Sequence, residues 1–577
     1  MKYCKTPQKQ RLFFVFIVVC FCLFMLVGRL VYLMIYRADY YGERAKAVQQ
    51  RERSIKGSRG KILDRNGIVL AGNKSVSTIS VIHNQIKQPE KVIKNLSAIL
   101  EIDEDEIRKK VNKVSSREKI KSNVPKRVGD KIRKYNLSGV KVDEDYKRYY
   151  PYGGLGSKIL GFTGSDNQGI IGLEIQYEKY LKGKDGTILT PTDSRGIEMK
   201  NALEQRREPV TGNSLVTSID LNIQQYAEQI AYKTLEVKKA NYVSIIAMNP
   251  NNGEILAMVN APEFDLNKPY NLNYTTNEKI SSKEKQDLLN RMWRNQCIND
   301  TYEPGSTFKV ITSTAALENN QVTMDTRFSC PGFRIVDDRR IRCHKTTGHG
   351  SENFLQGVMN SCNPVFIDVG LKVGKEKFYE QMRKLGLMNK TGIDLPGEAS
   401  TIIHKLKNVG NVELATMSFG QSFQITPMQY LVAAGAVING GKIVTPHFGV
   451  KAINSNGKVV KQFKYKNKNN VVSKKTSDTM KFILEKVVSE GTGSKGKVEG
   501  YKVGGKTATS QKLPRGSGKY IASFMGFAPA DNPQIIAMAI IDEPKGIYYG
   551  GQVAAPVISE LYKNILPYWL EEKKQGE

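Results

Sequence analysis

The chain has 577 residues, of which 87 are Lys or Arg and 56 Asp or Glu, a formal charge of +31 with histidines neutral. That length exceeds what one hydrophobic core usually organises and fits two to four domains. The excess of base points to an anionic partner. Because the cations are spread over the whole chain and are not interleaved with aromatics in one stripe, they argue for a general surface field and against a nucleic-acid site.

Leu12 to Gly28 is an unbroken run of apolar residues and Gly, and after Arg29 the apolar character resumes from Leu30 to Tyr36, long enough to cross a bilayer. Lys2, Lys5, Lys9 and Arg11 precede it, so the positive-inside rule predicts a cytoplasmic tail over 1–11, one transmembrane anchor over 12–36 and an extracytoplasmic remainder. No small-residue cleavage site follows, and the run is too long for the core of a cleaved signal. Arg29 lies near the outer end, within reach of the interface.

Charges dominate from Ala47 to Arg59, and Asn66-Gly67 then predicts a turn between short strands at Ile62-Leu63 and Ile68-Val69-Leu70. Between Pro89 and Lys134 apolar residues recur at helical spacing, as in Val92, Leu96, Ile99 and Leu100, predicting surface helices of an accessory domain. The glycines between Tyr152 and Gly186 match no phosphate loop and read as turns. From Thr217 the texture is that of an α/β core. Ile219-Asp220-Leu221 opens a helix, and Val243–Met248 and Glu254–Val259 form a hairpin across Pro-Asn-Asn-Gly. Phe524–Phe527 and Ile535–Ile541 are expected to complete the sheet, ahead of a final helix over Pro556–Leu570.

Chemistry concentrates in Glu303-Pro304-Gly305-Ser306-Thr307-Phe308-Lys309, followed by the helix-compatible Val310–Leu317. A helix beginning at Ser306 places Lys309 over it on one face. A lysine held out of water can lose its proton and serve as base to a serine hydroxyl, and the helix N-terminus favours developing negative charge. A lone Ser-x-x-Lys is common, its plain alternative being an N-cap serine with an exposed lysine. Here it has companions in order: Ser361-Cys362-Asn363, 361 − 306 = 55 residues on, and Lys506-Thr507-Ala508-Thr509 in a strand-like segment. The three together are far more specific.

These motifs resemble the SxxK, SxN and KTG set of the class B penicillin-binding proteins, and the resemblance covers nearly the whole chain. Arg59–Gly67 is similar to the RGxIxDRNG signature of their N-terminal pedestal, and Arg148-Tyr149-Tyr150-Pro151 with Gly169–Glu174 to the second pedestal signature. The resemblance implies an α/β transpeptidase domain over 206–577, a central antiparallel sheet with helices on both faces, above an elongated mixed α/β pedestal (dimerisation-type) over 37–205. It implies that Ser306 attacks a D-Ala-D-Ala stem peptide of peptidoglycan and releases the terminal D-alanine, that an amine of a neighbouring strand then takes the acyl group, and that β-lactams acylate the same serine.

Carried over to this sequence, the resemblance makes Lys309 the general base, Ser361 a proton shuttle with Lys506, Asn363 a hydrogen bonder of the peptide, and Thr507 and Thr509 contacts for the substrate carboxylate. The backbone N–H groups of Ser306 and Thr509 form the oxyanion hole. Acyl transfer needs no cofactor, and a membrane glycosyltransferase and divisome-type partners are implied, in the manner of division and sporulation members of clostridial type. Ala508 departs from the family glycine, which leaves a weakly active or inactive septal scaffold as an alternative, beside a D,D-carboxypeptidase. A β-lactamase would be shorter and lack the pedestal signatures, and an antibiotic sensor would carry several spans and HExxH. Ser418–Gln421 and Thr426-Pro427 resemble family structural elements, and Gly420-Gln421-Ser422 lacks the closing glycine of a nucleophile elbow.

Cys4, Cys20 and Cys22 belong to the tail and span, leaving Cys297, Cys330, Cys343 and Cys362 outside. Cys330 and Cys343 bracket a hairpin-like segment whose ends can meet at disulfide distance, and export permits a disulfide. His344 and His349 share that window, so Cys330, Cys343, His344 and His349 also form a Cys2His2 set for a structural zinc, though without a CxxC pair. Some clostridial members of the resembled family bind zinc. Zinc, a disulfide and free thiols all stay open. Cys362 is expected to point away from Ser361 and Asn363 as a small buried hydrophobe, and Cys297 has the same expectation.

Overall fold

The computed structural model describes residues 6–114, 117–191, 205–274 and 280–575; Lys2, Cys4 and Lys5 of the tail lie outside them. The chain divides into two compact units, one of residues 1–58, 75–147 and 184–210, the other of 59–74, 148–183 and 211–577.

In the first unit the apolar run forms a helix, Thr6–Val31, continued by a π-helical turn, Tyr32–Tyr36. Gln8–Tyr36 has a mean hydropathy of 2.8 and is the one described helix long and apolar enough to cross a membrane. Arg29 and Arg37 each lie 5.3 Å from a tyrosine ring, Tyr32 and Tyr40, the aromatic and basic mixture that suits a membrane interface. Further on, strand Gln50–Ile55 pairs antiparallel with Gly186–Pro191. A small core gathers Val92, Leu96 and Leu100 of helix Pro89–Leu100 with Ile107 and Val111 of helix Glu104–Val111.

Within the stretch expected to be helical, the structure instead inserts strand Glu118–Pro125 ahead of helix Lys126–Lys134. Its buried residues, Ile120 and Val124, are four apart. That spacing satisfies a helix face and a strand face equally, and pairing with Val76–Val81 decides for the strand.

The second unit opens with the hairpin at Asn66-Gly67, where Asp64 Oδ1 accepts from the N–H of Asn66 at 2.8 Å and of Ile68 at 2.7 Å. Arg59 Nε and Arg148 Nε each donate at 2.6 Å to a separate oxygen of Glu174, and Tyr150 OH donates to the same carboxylate at 3.2 Å. All four side chains are buried. The two pedestal-like signatures are thus joined by one carboxylate, a role beyond the turn chemistry expected of 169–174.

The central sheet runs Ile255–Ala261, Tyr242–Met248, Ile535–Asp542, Tyr520–Ala528, Gly504–Gln511, every neighbour antiparallel. Both expected closing segments are present, and Gly504–Gln511 adds an edge. Alternation sorts the residues: Val243 and Ile245 pack with Ile230 of helix Leu221–Lys238 and Leu561 of helix Ala555–Gln575, while Ile246 and Met248 pack with helices of the opposite face, among them Lys309–Glu318 and Pro427–Ile438. Asp220 caps Leu221–Lys238 by accepting from the N–H of Asn222 and Ile223.

Glu174→Ala would leave the buried Arg148 guanidinium without its carboxylate and Arg59 with Glu178 alone, a change that costs about 3–5 kcal/mol where one partner of a buried pair is removed. Scanning calorimetry of the full-length chain in detergent is expected to show a lower unfolding midpoint for this variant. An unchanged midpoint would mean that the second unit does not depend on the network.

Candidate active site

Gly305 has φ +57°, and a Cβ there would fall 2.2 Å from Ser510 Oγ. Its N–H donates to Gly420 O at 2.9 Å, and a Cβ on Gly420 would fall 2.1 Å from Gly305 O. Two glycines therefore let the backbone before Ser306 lie directly on the loop 418–422. The helix expected from Ser306 begins as a 3-10 turn, Gly305–Phe308, and becomes α-helical over Lys309–Glu318. Glu303 closes the loop by accepting from Ser422 N at 2.9 Å and pairing with Arg515.

Ser306 is half-buried and Lys309 fully buried. Lys309 Nζ donates to Ser361 O at 2.6 Å, to Asn363 Oδ1 at 2.8 Å and to Ser361 Oγ at 3.2 Å. Ser361 has φ +54°, a left-handed conformation that costs a serine about 1–3 kcal/mol and tends to mark functional sites. Lys506 Nζ donates to Ser361 Oγ at 2.9 Å and to Thr507 O at 3.1 Å. One hydroxyl is thus held between two buried amines. Burial pushes Lys309 down to about 8. Burial first and the charge of Lys309 second push Lys506 well below the ordinary lysine range.

Lys506, Thr507 and Thr509 lie on the edge strand Gly504–Gln511, which pairs with Tyr520–Ala528 on one side only. Its other edge offers backbone donors and acceptors to an extended ligand. Thr509 Oγ1 accepts from Gly550 N at 2.9 Å, and Thr507 Oγ1 donates to Thr492 Oγ1 at 3.4 Å. Ala508 Cβ lies 3.6 Å from where a Cβ of Gly305 would be, ordinary contact spacing, so the extra methyl is accommodated beside the glycine of the 3-10 turn.

Behind the Ser-x-Asn segment, ligand atoms of Cys330, Cys343, His349 and Cys362 lie within 4.8 Å of one another. His349 Nδ1 is 3.5 Å from Cys330 Sγ and 3.7 Å from Cys343 Sγ. His344 is not of this group. Its ring is exposed, tilted by 56° against that of His349 at 5.2 Å, and of the cluster's thiols its Nδ1 approaches only Cys343 Sγ, at 3.8 Å, because Cys343 turns inward after strand Arg339–Arg342 and its neighbour turns out. The fourth donor is Cys362, expected to be a plain core residue. It does point away from Ser361 and Asn363, and what lies there is the cluster. The signal available in sequence was a third cysteine beside a catalytic motif. All three cysteines are free thiols. A hydrogen bond between Cys343 and Cys362 pulls the thiol of Cys343 down and pushes that of Cys362 up. Cys297 is buried elsewhere, its thiol pushed up to about 12 by burial.

Two family profiles match: the penicillin binding protein transpeptidase domain over residues 243–563 and the penicillin-binding protein dimerisation domain over 54–217. The chain is a class B penicillin-binding protein. Its catalytic domain is a transpeptidase of the serine acyl-enzyme type. This penicillin-binding protein is 38% identical to stage V sporulation protein D of Bacillus subtilis over 98% of its own length and 87% of the relative's. It is 29% identical to the peptidoglycan D,D-transpeptidase MrdA of Acinetobacter baumannii over 99% and 89%. Its fold is that of penicillin binding protein 2X from Streptococcus thermophilus, with TM-score 0.73, 22% identity, and coverage of 90% and 80% of the two chains.

With Lys309 pushed to about 8, its amine is mostly protonated at neutral pH and is freed as pH rises through that value. If it is the base, acylation by a fluorescent penicillin should quicken by roughly tenfold per pH unit below that point and level off above it. A flat profile between about pH 6 and 9 would remove Lys309 titration from the rate.

Proposed function

We propose that this penicillin-binding protein cross-links peptidoglycan as a D,D-transpeptidase, with Ser306, Lys309, Ser361, Asn363 and Lys506 as its catalytic set. The observation that carries the reading is Ser361 Oγ lying between the amines of Lys309 and Lys506, at 3.2 and 2.9 Å. Neutral Lys309 takes the proton of Ser306 Oγ as that oxygen bonds to the carbonyl carbon of the penultimate D-alanine. The backbone N–H groups of Ser306 and Thr509 receive the oxyanion. The proton passes through Ser361 to the departing amine of the terminal D-alanine as the C–N bond breaks. An amine of a second stem peptide then attacks the acyl-enzyme, gives its proton to the same relay, and Ser306 leaves protonated. Thr507 and Thr509 hold the substrate carboxylate. Asn363, already engaged by Lys309, orients that amine and contacts the peptide.

In this reading residues 1–11 lie in the cytoplasm, 12–36 span the membrane, and both the pedestal (37–205) and the transpeptidase domain (206–577) lie outside. The likeness to stage V sporulation protein D supports service in sporulation, with a membrane glycosyltransferase and divisome-type proteins as partners.

Acyl transfer itself needs no cofactor, but the donor set of Cys330, Cys343, His349 and Cys362 suits a structural zinc. Three thiols and one imidazole are soft ligands, all of them screened from water. Donor separations of 3.5 and 3.7 Å are those of neighbours around a tetrahedral ion with bonds of roughly 2.0–2.3 Å. A bound zinc would supply no chemistry to the serine and would hold the thiolates deprotonated and in place.

Intact mass after incubation with a panel of β-lactams tests the enzyme. A covalent adduct is expected on the full-length protein and none on Ser306→Ala, and no adduct with any compound would favour the scaffold. Adduct formation combined with hydrolysis, but never transfer, when acceptor amine is supplied would mark a carboxypeptidase.

Native mass tests the metal. One chelator-sensitive zinc is expected in the unmodified chain and in His344→Ala, and strong loss in Cys362→Ser and His349→Ala. Retention in Cys362→Ser would return the fourth position to His344, and a mass two hydrogens lighter without metal would indicate a disulfide.

A further inference from the structure

Strands Phe333–Val336 and Arg339–Arg342 form a two-stranded ribbon of their own. Its register pairs Phe333 with Arg342 and Ile335 with Arg340, Arg334 with Ile341 and Val336 with Arg339. The period of two therefore divides it into two faces. One is used inward: Val336 is buried and Arg334 pairs with Asp368 of helix Asn363–Val373.

The other face carries Phe333, Ile335, Arg340 and Arg342. Ile335 is 62% exposed, both arginines are exposed, and the Arg340 guanidinium lies 3.8 Å from the Phe333 ring centroid. The acids of the turn are engaged elsewhere, Asp337 with Asn411 at 3.1 Å and Asp338 with Arg339 at 3.5 Å. Among the described residues no carboxylate pairs with Arg340 or Arg342. An outward ribbon face of two apolar side chains and two unpaired guanidiniums fits a ligand with aliphatic arms ending in carboxylates.

The ribbon is also tied to the catalytic centre. Cys343, directly after it, enters the Cys/His cluster, and Arg342 O accepts from Asn363 Nδ2 at 3.2 Å while Asn363 Oδ1 accepts from Lys309. One amide thus separates the basic lysine from the ribbon. We infer that this face docks the acceptor strand, an acidic stem peptide whose aliphatic arms lie on Phe333 and Ile335 and whose carboxylates meet Arg340 and Arg342. The inference rests on the transpeptidase reading, because only transfer requires a second strand. The donor is assigned to the free edge of Gly504–Gln511, which leaves the ribbon for the incoming amine.

The test uses the full-length protein in detergent, a small thioester donor, and two acceptors: a stem peptide with free side-arm carboxylates and the same peptide with those carboxylates amidated. Penicillin labelling of every protein measures acylation separately, so a wild-type chain that does not label marks failure of the underlying reading and not of the docking surface. In Arg340→Gln/Arg342→Gln, the share of acyl-enzyme passed to the acid acceptor should fall roughly fivefold, as two partly solvated charge contacts allow. Transfer to the amidated acceptor should match wild type, and Arg340→Lys/Arg342→Lys should recover part of the loss. Equal loss with both acceptors, or no loss with either, overturns the inference. So does loss of binding to a phosphate polymer of the teichoic acid kind with acid-acceptor transfer intact, which would assign the face to that polymer.

Discussion

Lys309 and Lys506 reach one hydroxyl from different elements, and both are fully buried. Two ammonium groups a few ångströms apart repel by about 3 kcal/mol even at an effective permittivity near 20, on top of the cost of removing each from water. They cannot both stay charged. Lys309 has Ser361 O and Asn363 Oδ1 beside the shared hydroxyl, whereas Lys506 has only Thr507 O. The remaining proton therefore resides on Lys309, and Lys506 is the amine held further below its ordinary range. A hydroxyl flanked by one proton-rich and one proton-poor amine suits the relay proposed for Ser361, and such a relay needs no histidine.

That arrangement constrains the backbone more than the side chains. Ser361 must turn left-handed to offer both its carbonyl and its hydroxyl to Lys309, and the 3-10 turn at Gly305–Phe308 must lie against both the edge strand and the loop at Gly420. Close approach explains why Gly305 and Gly420 tolerate no Cβ. It also explains why the methyl of Ala508 fits on the edge strand: it faces a residue that has none. Glu303 and Arg515 link the start of the same turn to the loop following the edge strand, so the turn is held at both of its contacts.

Much of this was legible in the sequence because local patterns carried it. The hairpin of Val243–Met248 with Glu254–Val259 followed from β-rich runs around a turn, and Ser306, Lys309, Ser361, Asn363 and Lys506 from the order of their motifs. What was not legible depended on partners distant in sequence. Strand Glu118–Pro125 shows spacing that a helix would satisfy equally, and only Val76–Val81 resolves it. Nothing local announces that Glu174 will receive Arg59 and Arg148 from two other segments. His344 was the nearer neighbour of Cys343 in sequence, but adjacent residues in extended chain point to opposite sides, and the cluster takes its fourth donor from the start of a helix 362 − 343 = 19 residues away.

The placement of Cys362 gives the cluster a reach that a peripheral site would lack. Ser361 and Asn363 face the amines while the residue between them faces the thiols and imidazole, so three consecutive residues join two centres back to back. A shift of Cys362 cannot be absorbed by a side-chain rotation alone, because Ser361 already occupies a strained backbone conformation and Asn363 opens a helix followed at once by Pro364. Loosening the cluster would therefore be felt first as misplacement of the Ser361 hydroxyl and the Asn363 amide. The opposite face of the sheet with helices Leu221–Lys238 and Ala555–Gln575, whose core contains none of these cysteines, would be affected less. Local constraint of this kind separates positioning from folding: the fold supplies the strand, the turn and the helix, and the cluster sets where along the Ser-x-Asn segment the hydroxyl comes to rest.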